Sequence, residues 1–268
     1  MNKLLMLGTD SEYFVSHNGA IGSAIGLLGG SKEAPRLVAN GNVQEDNVLA
    51  EFAIDPCTTS AQWVNNIVSV RAQMLEILNE KGLDIVGKSS HKFGEELFDF
   101  PSKAFEFGCD PDWDAYSGQQ NPRPNVNTFL RTAAGHIHFS YENPDDMRTR
   151  DIIKCLDYSL GVWSVLLDED KQRRSLYGKA GAYRKKSYGG EYRTLGNFWL
   201  ATEERMEYVF DTTSVCVSFA DDLLPRFHAV MSEAALQDVI NEHRVNEAQR
   251  VFPLLCNIVE DYYGKLPK

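Results

Sequence analysis

The ten residues T-A-A-G-H-I-H-F-S-Y (132–141) carry more structural information than any other stretch of this 268-residue chain. Alternate positions divide cleanly: His136, His138 and Ser140 point one way, while Ile137, Phe139 and Tyr141 point the other. Such period-two patterning marks a strand with one buried face. A solvated strand face normally mixes Lys, Thr, Ser and Gln, whereas this one offers two imidazoles.

Three further stretches share the pattern. In 3–15, Asp10 and Glu12 lie on one face. In 47–55, Val48, Ala50, Phe52 and Ile54 form an apolar side, with Asn47, Glu51 and Asp55 opposite. In 191–198, Glu191 and Arg193 are a matched pair. Shorter strands are expected at 84–86 and 214–219. Residues i and i+2 of a strand lie about 6.5–7 Å apart on one face. Carboxylates at that spacing can hold neighbouring divalent cations, as in two-metal sites. Oxygen ligands select Mg²⁺ or Mn²⁺, and an imidazole among them favours tolerance of Mn²⁺. Each motif is common alone; four strands presenting carboxylate, carboxylate, imidazole and carboxylate–guanidinium point to one shared metal and phosphate site.

Helices are expected where apolar residues recur at helical spacing. Ser60 can cap one carrying Trp63, Ile67, Val70, Met74 and Leu78 and ending at Gly82. N-P-D-D (143–146) opens another, striped by Ile153, Leu156, Leu160, Trp163 and Leu167. Two more should start at Ser232 and Asn246 within a helical segment of about 222–264. Strands and helices in uneven order predict an α+β fold on an antiparallel sheet, with no interdomain linker along 1–268.

Between Arg173 and Arg193 lie Lys179, Arg184, Lys185, Lys186 and four glycines. Guanidinium forks bind phosphate oxygens in bidentate fashion and stabilise transferring phosphoryl groups. Arg184 and Arg193 are assigned that role, and Lys185 and Lys186 are expected to be a solvated turn. Two loops are long enough to be functional: 26–41, with G-G-S-K (29–32), and 108–127.

Bulk properties narrow the class. A net charge of −11 argues against nucleic acid, because phosphate contacts need clustered Lys and Arg. No apolar run approaches the ~18 residues of a membrane span. Leu4, Leu5, Met6 and Leu7 are too few for a signal-peptide core, so a cytoplasmic location is expected. Five scattered cysteines (Cys57, Cys109, Cys155, Cys216, Cys256) make neither a disulfide framework nor a thiolate zinc site.

The strings G-T-D-S-E-Y-F (8–14), L-G-G-S-K-E-A-P (28–35), V-Q-E-D-N-V-L-A-E-F (43–52), R-T-A-A-G-H-I-H-F (131–139) and Y-G-G-E-Y-R-T-L-G-N-F-W (188–199) together resemble the carboxylate–amine ligases of the glutamine synthetase and glutamate–cysteine ligase superfamily. Their nearest likeness is to the compact amidoligase-like proteins of tailed phages and of some bacterial gene neighbourhoods; a phage-encoded member would work in the host cytoplasm. The resemblance implies a glutamine-synthetase-like domain, a curved antiparallel sheet with helices on one face. It implies ATP and Mg²⁺ as cofactors, and a small-molecule or peptide carboxylate and an amine as substrates.

It also implies roles. Asp10, Glu12, Glu51, His136 and Glu191 would bind metal, with Asp10 standing where the family usually has Glu. His138 would meet the nucleotide phosphate, Arg193 the γ-phosphate or substrate carboxylate, and Arg184 a further phosphate. Lys32 and Lys179 would be nucleotide contacts. Apart from the resemblance, the length of the 108–127 loop makes it the candidate lid, and its acids Asp110, Asp112 and Asp114, Asp112 first, are candidates to orient or deprotonate the amine. Two other readings remain open at this stage. H-x-H with Asp and Glu can hold zinc and activate water for hydrolysis. A ligase fold without activity could serve as a binding protein.

Overall fold

The computed structural model describes residues 5–105, 112–122 and 129–266. The chain opens with β1 (Leu7–His17), β2 (Ala20–Ile21), β3 (Arg36–Val38), β4 (Gly41–Asp46) and β5 (Leu49–Ile54), then helix α1 (Ser60–Asn79). Strands β6 (Asp84–Val86), β7 (Ser90–Lys92), β8 (Trp113–Asp114), β9 (Leu130–Thr132) and β10 (Gly135–Ser140) follow. Helix α2 (Asp146–Leu156) runs through a π-helical turn over Asp157–Gly161 into α3 (Val162–Leu167). After the single turn α4 (Arg173–Leu176) come β11 (Ala182–Lys186), β12 (Gly189–Tyr192), α5 (Glu203–Val230), α6 (Glu233–Asn241) and α7 (Val245–Tyr263).

Among the described residues, ten strands form one sheet, ordered β3-β4-β5-β1-β10-β12-β11-β8, with β2 and β6 also paired to β1. Every pairing is antiparallel. Tight hairpins suit this connectivity. Between β4 and β5 the chain turns at Asn47, whose φ of 55° is a conformation that Asn tolerates better than most residues.

Apart from the single turn α4, the α-helices cover one face. Tyr13 and Val15 of β1, Phe52 of β5, and Ile137 and Phe139 of β10 pack with Trp63 and Ile67 of α1 and Ile152 and Leu156 of α2. Burying side chains of this size contributes about 1.5–3 kcal/mol each. Trp63 stacks on Trp199 at 5.7 Å, which ties α1 to the segment after β12. The opposite face carries the polar residues, and a smaller apolar cluster of Phe14, Val48, Leu49, Phe93 and Leu97 closes one end of it. The α+β class, the antiparallel sheet and the one-sided helices match the expectation from sequence.

Three local expectations are corrected. Residues 214–219 lie inside α5 and are not a strand. Val215, Cys216 and Val217 are all buried, so a helix packed by α1, α2 and α7 overrides their β preference. The strand expected over 191–198 ends at Tyr192; Asn197–Ala201 is a 3₁₀ turn, with the Asn197 amide donating to the carbonyls of Glu12 and Lys88. Thr59, not Ser60, caps α1, its hydroxyl accepting from the Gln62 amide at 3.2 Å. Cys57, Cys155 and Cys216 are buried free thiols and Cys256 is a partly exposed one, while Cys109 lies outside the described residues. Among the described residues no helix is long and apolar enough to cross a membrane.

Candidate metal and phosphate site

Register places the polar residues side by side on the face away from the helices. Asp10 of β1 sits opposite His136 of β10, and Glu12 sits opposite Glu51 of β5. His138 is opposite Glu191 of β12, which is opposite Arg184 of β11. Gln44 of β4 is opposite Glu51. Neighbouring strands are about 4.8 Å apart, so these side chains must meet.

They meet in two groups. Asp10, His136 and Glu191 offer ligand atoms within 4.8 Å of one another, and so do Glu12, Asp46 and Glu51. In the first group His136 Nδ1 lies 3.0 Å from Asp10 Oδ1 and 3.6 Å from Glu191 Oε1. His138 Nε2 is 3.2 Å from the same Asp10 oxygen, and its Nδ1 is 2.6 Å from the Tyr188 hydroxyl. In the second group the Ala134 amide donates to Glu12 at 2.7 Å and the Gln44 amide to Glu51 at 2.9 Å.

Cations crowd Glu191. Lys186 Nζ is 2.7 Å away, Arg184 Nη1 is 3.7 Å away, and Arg193 is in direct contact. Arg193 Nε also faces Asp112 Oδ2 at 3.6 Å. Burial favours the neutral form of Glu191, but the neighbouring cationic groups, Arg193 foremost with His136 and His138, together outweigh it and pull the carboxyl down to about 2. Asp10 is likewise held well below its ordinary range, since His138 and His136 overcome the effect of burial. Burial and the Arg193 charge press His136 down to about 4, which leaves a neutral imidazole able to ligate.

The second group behaves oppositely. Burial, then repulsion from Asp46, pushes Glu12 up to about 8, and Glu51 stands well above its usual range for the same kinds of reason. Three carboxylates drawn together at such a cost fit a hard divalent cation, whose charge would reverse that shift. An imidazole with two carboxylates fits Mg²⁺ or Mn²⁺ equally well.

The structure thus brings together Asp10, Glu12, Glu51, His136, His138, Arg184, Glu191, Arg193 and Asp112. It does not bring in Lys32 or Lys179. Both are exposed, and among the described residues neither shares an ion pair with the groups above. Lys186, expected to be solvated, is instead an ion partner of Glu191, whereas Lys185 is exposed beside Trp113 and Asp146. Sequence reading missed Asp46 because it began the second strand at Asn47; the D-N turn at 46–47 was the available signal. Lys186 was marked by sharing the alternation of Arg184 on β11. Of the expected lid, Asp110 lies outside the described residues.

Residues 127–237 match the family described as Phage phiEco32-like COOH.NH2 ligase-type 2. This stretch holds His136, His138, Arg184, Glu191 and Arg193, so the resemblance to carboxylate–amine ligases is borne out there. No curated protein matches the chain. Among solved structures, one described as "Apo GmaS without ligand" is similar with a TM-score of 0.49 and 12% identity. The match covers 95% of this chain and 65% of that one, so this chain spans only part of its length.

Proposed function

We propose that the protein is an ATP- and Mg²⁺-dependent carboxylate–amine ligase that forms an amide through an acyl phosphate, with 1–268 as one ligase domain. The observation that carries this reading is the pair of three-ligand groups on one sheet face beside two cavities, with His136 of the first group lining the smaller cavity together with Glu12 and Asp46 of the second. The larger cavity, about 300 Å³, is lined by Asp10, His138, Ile54, Pro56, Phe139 and Tyr188. Its mostly apolar wall and size suit a nucleoside. The smaller, about 60 Å³, is lined by Glu12, Asp46, Arg131, Arg173, Arg193 and Leu176. Its arginines suit the acid substrate.

Divalent cations held by Asp10, His136 and Glu191 and by Glu12, Asp46 and Glu51 would neutralise phosphate charge as it develops. Arg193 touches Glu191 of the first group and lines the smaller cavity beside the second. There its fork would hold the γ-phosphoryl group during transfer, and Arg184 and Lys186 would turn from Glu191 to phosphate oxygens. His138 is fixed between the Tyr188 hydroxyl and the Asp10 carboxylate. The acid's carboxylate oxygen attacks the γ-phosphorus and ADP leaves. The amine nitrogen then attacks the acyl carbon, phosphate departs, and the surplus amine proton passes to a base, a role assigned to Asp112.

The test is thermal stabilisation by Mg²⁺ with a nonhydrolysable ATP analogue. Wild-type protein should shift upward, and Glu191→Ala should lose the shift. Stabilisation by zinc alone, indifferent to nucleotide, would instead support the hydrolase reading.

A further inference from the structure

Asp157 is the first residue of the π-helical turn and is fully buried. One oxygen accepts from the Tyr116 hydroxyl at 2.9 Å and the Gly181 amide at 2.5 Å. The other accepts from the Tyr192 hydroxyl at 2.7 Å and the Thr194 hydroxyl at 3.2 Å. A buried carboxylate is costly, and an apolar residue of similar volume usually stabilises a core as well. Four converging donors from three separate segments suggest a different service.

Tyr192 and Thr194 are the chain neighbours of Arg193. Tyr116 belongs to the 112–122 segment, which carries Asp112. That segment is held at several further points. β8 pairs with β11, the Ala115 amide donates to the Gly181 carbonyl at 2.9 Å, and Arg150 donates to the carbonyls of Ala115 and Tyr116 at 2.7 and 3.1 Å. Gly181, with a φ of 78°, packs so closely that a Cβ there would come 2.7 Å from both Asp114 and Tyr116. The described middle of the expected lid is therefore a fixed wall.

We propose that Asp157 is a positioning residue for the Arg193–Asp112 pair, acting on Asp112 through Tyr116 and on Arg193 through Tyr192 and Thr194. The functional consequence rests on Arg193 meeting the γ-phosphate. Tyr116→Phe removes one hydroxyl and leaves the other three donors, so it should fold. Calorimetric titration in Mg²⁺ should show about tenfold weaker binding of a nonhydrolysable ATP analogue, equivalent to ~1.4 kcal/mol, with ADP affinity changed less than about twofold. General loosening would weaken both nucleotides alike, and that result, or an unchanged analogue affinity, overturns the proposal. Should the wild type bind neither nucleotide, the ligase reading falls, and amide hydrogen exchange decides the tether alone. Faster exchange at Asp114 and Ala115 in Tyr116→Phe then supports it, and unchanged exchange refutes it.

Discussion

Glu12 and Glu51 stand directly opposite one another on β1 and β5, an arrangement that destabilises a sheet when both are charged. Asp46 adds a third acid, and burial raises the cost further. A cation held among the three acids would relieve this repulsion. Glu51→Gln should therefore raise the Tm measured by scanning calorimetry in chelator at pH 8 by about 2–4 °C, the shift that about 1 kcal/mol gives in a domain of this size. The same variant should lose most of the Mg²⁺ stabilisation. A lower Tm would mean that Glu51 is an ordinary structural carboxylate. Arg193 presents a different case, because its planar fork spans Glu191 and Asp112. Lysine keeps the charge but not the fork. Arg193→Lys should cut phosphate release from ATP by about 10²–10³-fold, the usual loss when one preorganised donor to a transition state is removed. An unchanged rate would remove Arg193 from the reaction.

At the scale of elements, β10 does the most to set the site. It presents His136 and His138 to the polar face and buries Ile137 and Phe139 in the helix-side core. Gly135 begins it, and a Cβ there would run into the Trp199 indole nitrogen and the Gly196 carbonyl. Gly135→Ala should destabilise the fold by about 1–3 kcal/mol in denaturant titration, the cost of overpacking a rigid neighbourhood. A neutral result would show that the 3₁₀ turn bearing Trp199 can yield. This strand was legible in the sequence because its alternation is unbroken and its polar residues are chemically distinctive. Asp10, Glu12 and Glu51 were legible for the same reason, and residue type alone marked out Arg193. Asp46 was hidden because the hairpin placing it beside Glu51 depends on one Asn with positive φ. The 214–219 segment misled because Val and Cys in alternation look like a strand wherever tertiary packing is unknown. Lys32 and Lys179 were drawn in by their motifs, and nothing in the local pattern reveals that the fold leaves both exposed.

Over the whole molecule, the buried acids make stability depend on pH and on metal together. Burial raises Asp157 to about 7 and Glu12 to about 8, and holds Glu51 well above its ordinary range. His138 is also raised, because the charge and hydrogen bond of Asp10 together with the Glu191 charge outweigh its burial. In each case the folded protein keeps a proton that the unfolded chain has released, so stability falls as pH rises through the raised value. His136 and His243, both lowered to about 4, act in the opposite sense, but only below the ordinary histidine range. Between pH 6.5 and about 8 the acids and His138 therefore dominate. In chelator the Tm should fall across that interval. With Mg²⁺ the decline should flatten, because a cation takes the place of the protons on Glu12 and Glu51, and calorimetry in two buffers of different ionisation heat should register their release. A Tm that rises from pH 6.5 to 8 in chelator would contradict this electrostatic picture.

Anomalous scattering from crystals grown with Mn²⁺ and a nonhydrolysable ATP analogue addresses the cation sites themselves. Two peaks are expected, one among Asp10, His136 and Glu191 and one among Glu12, Asp46 and Glu51, with the triphosphate reaching Arg193. Manganese bound only elsewhere, or a nucleotide lying away from both groups, would contradict the assignment of this sheet face to phosphoryl transfer.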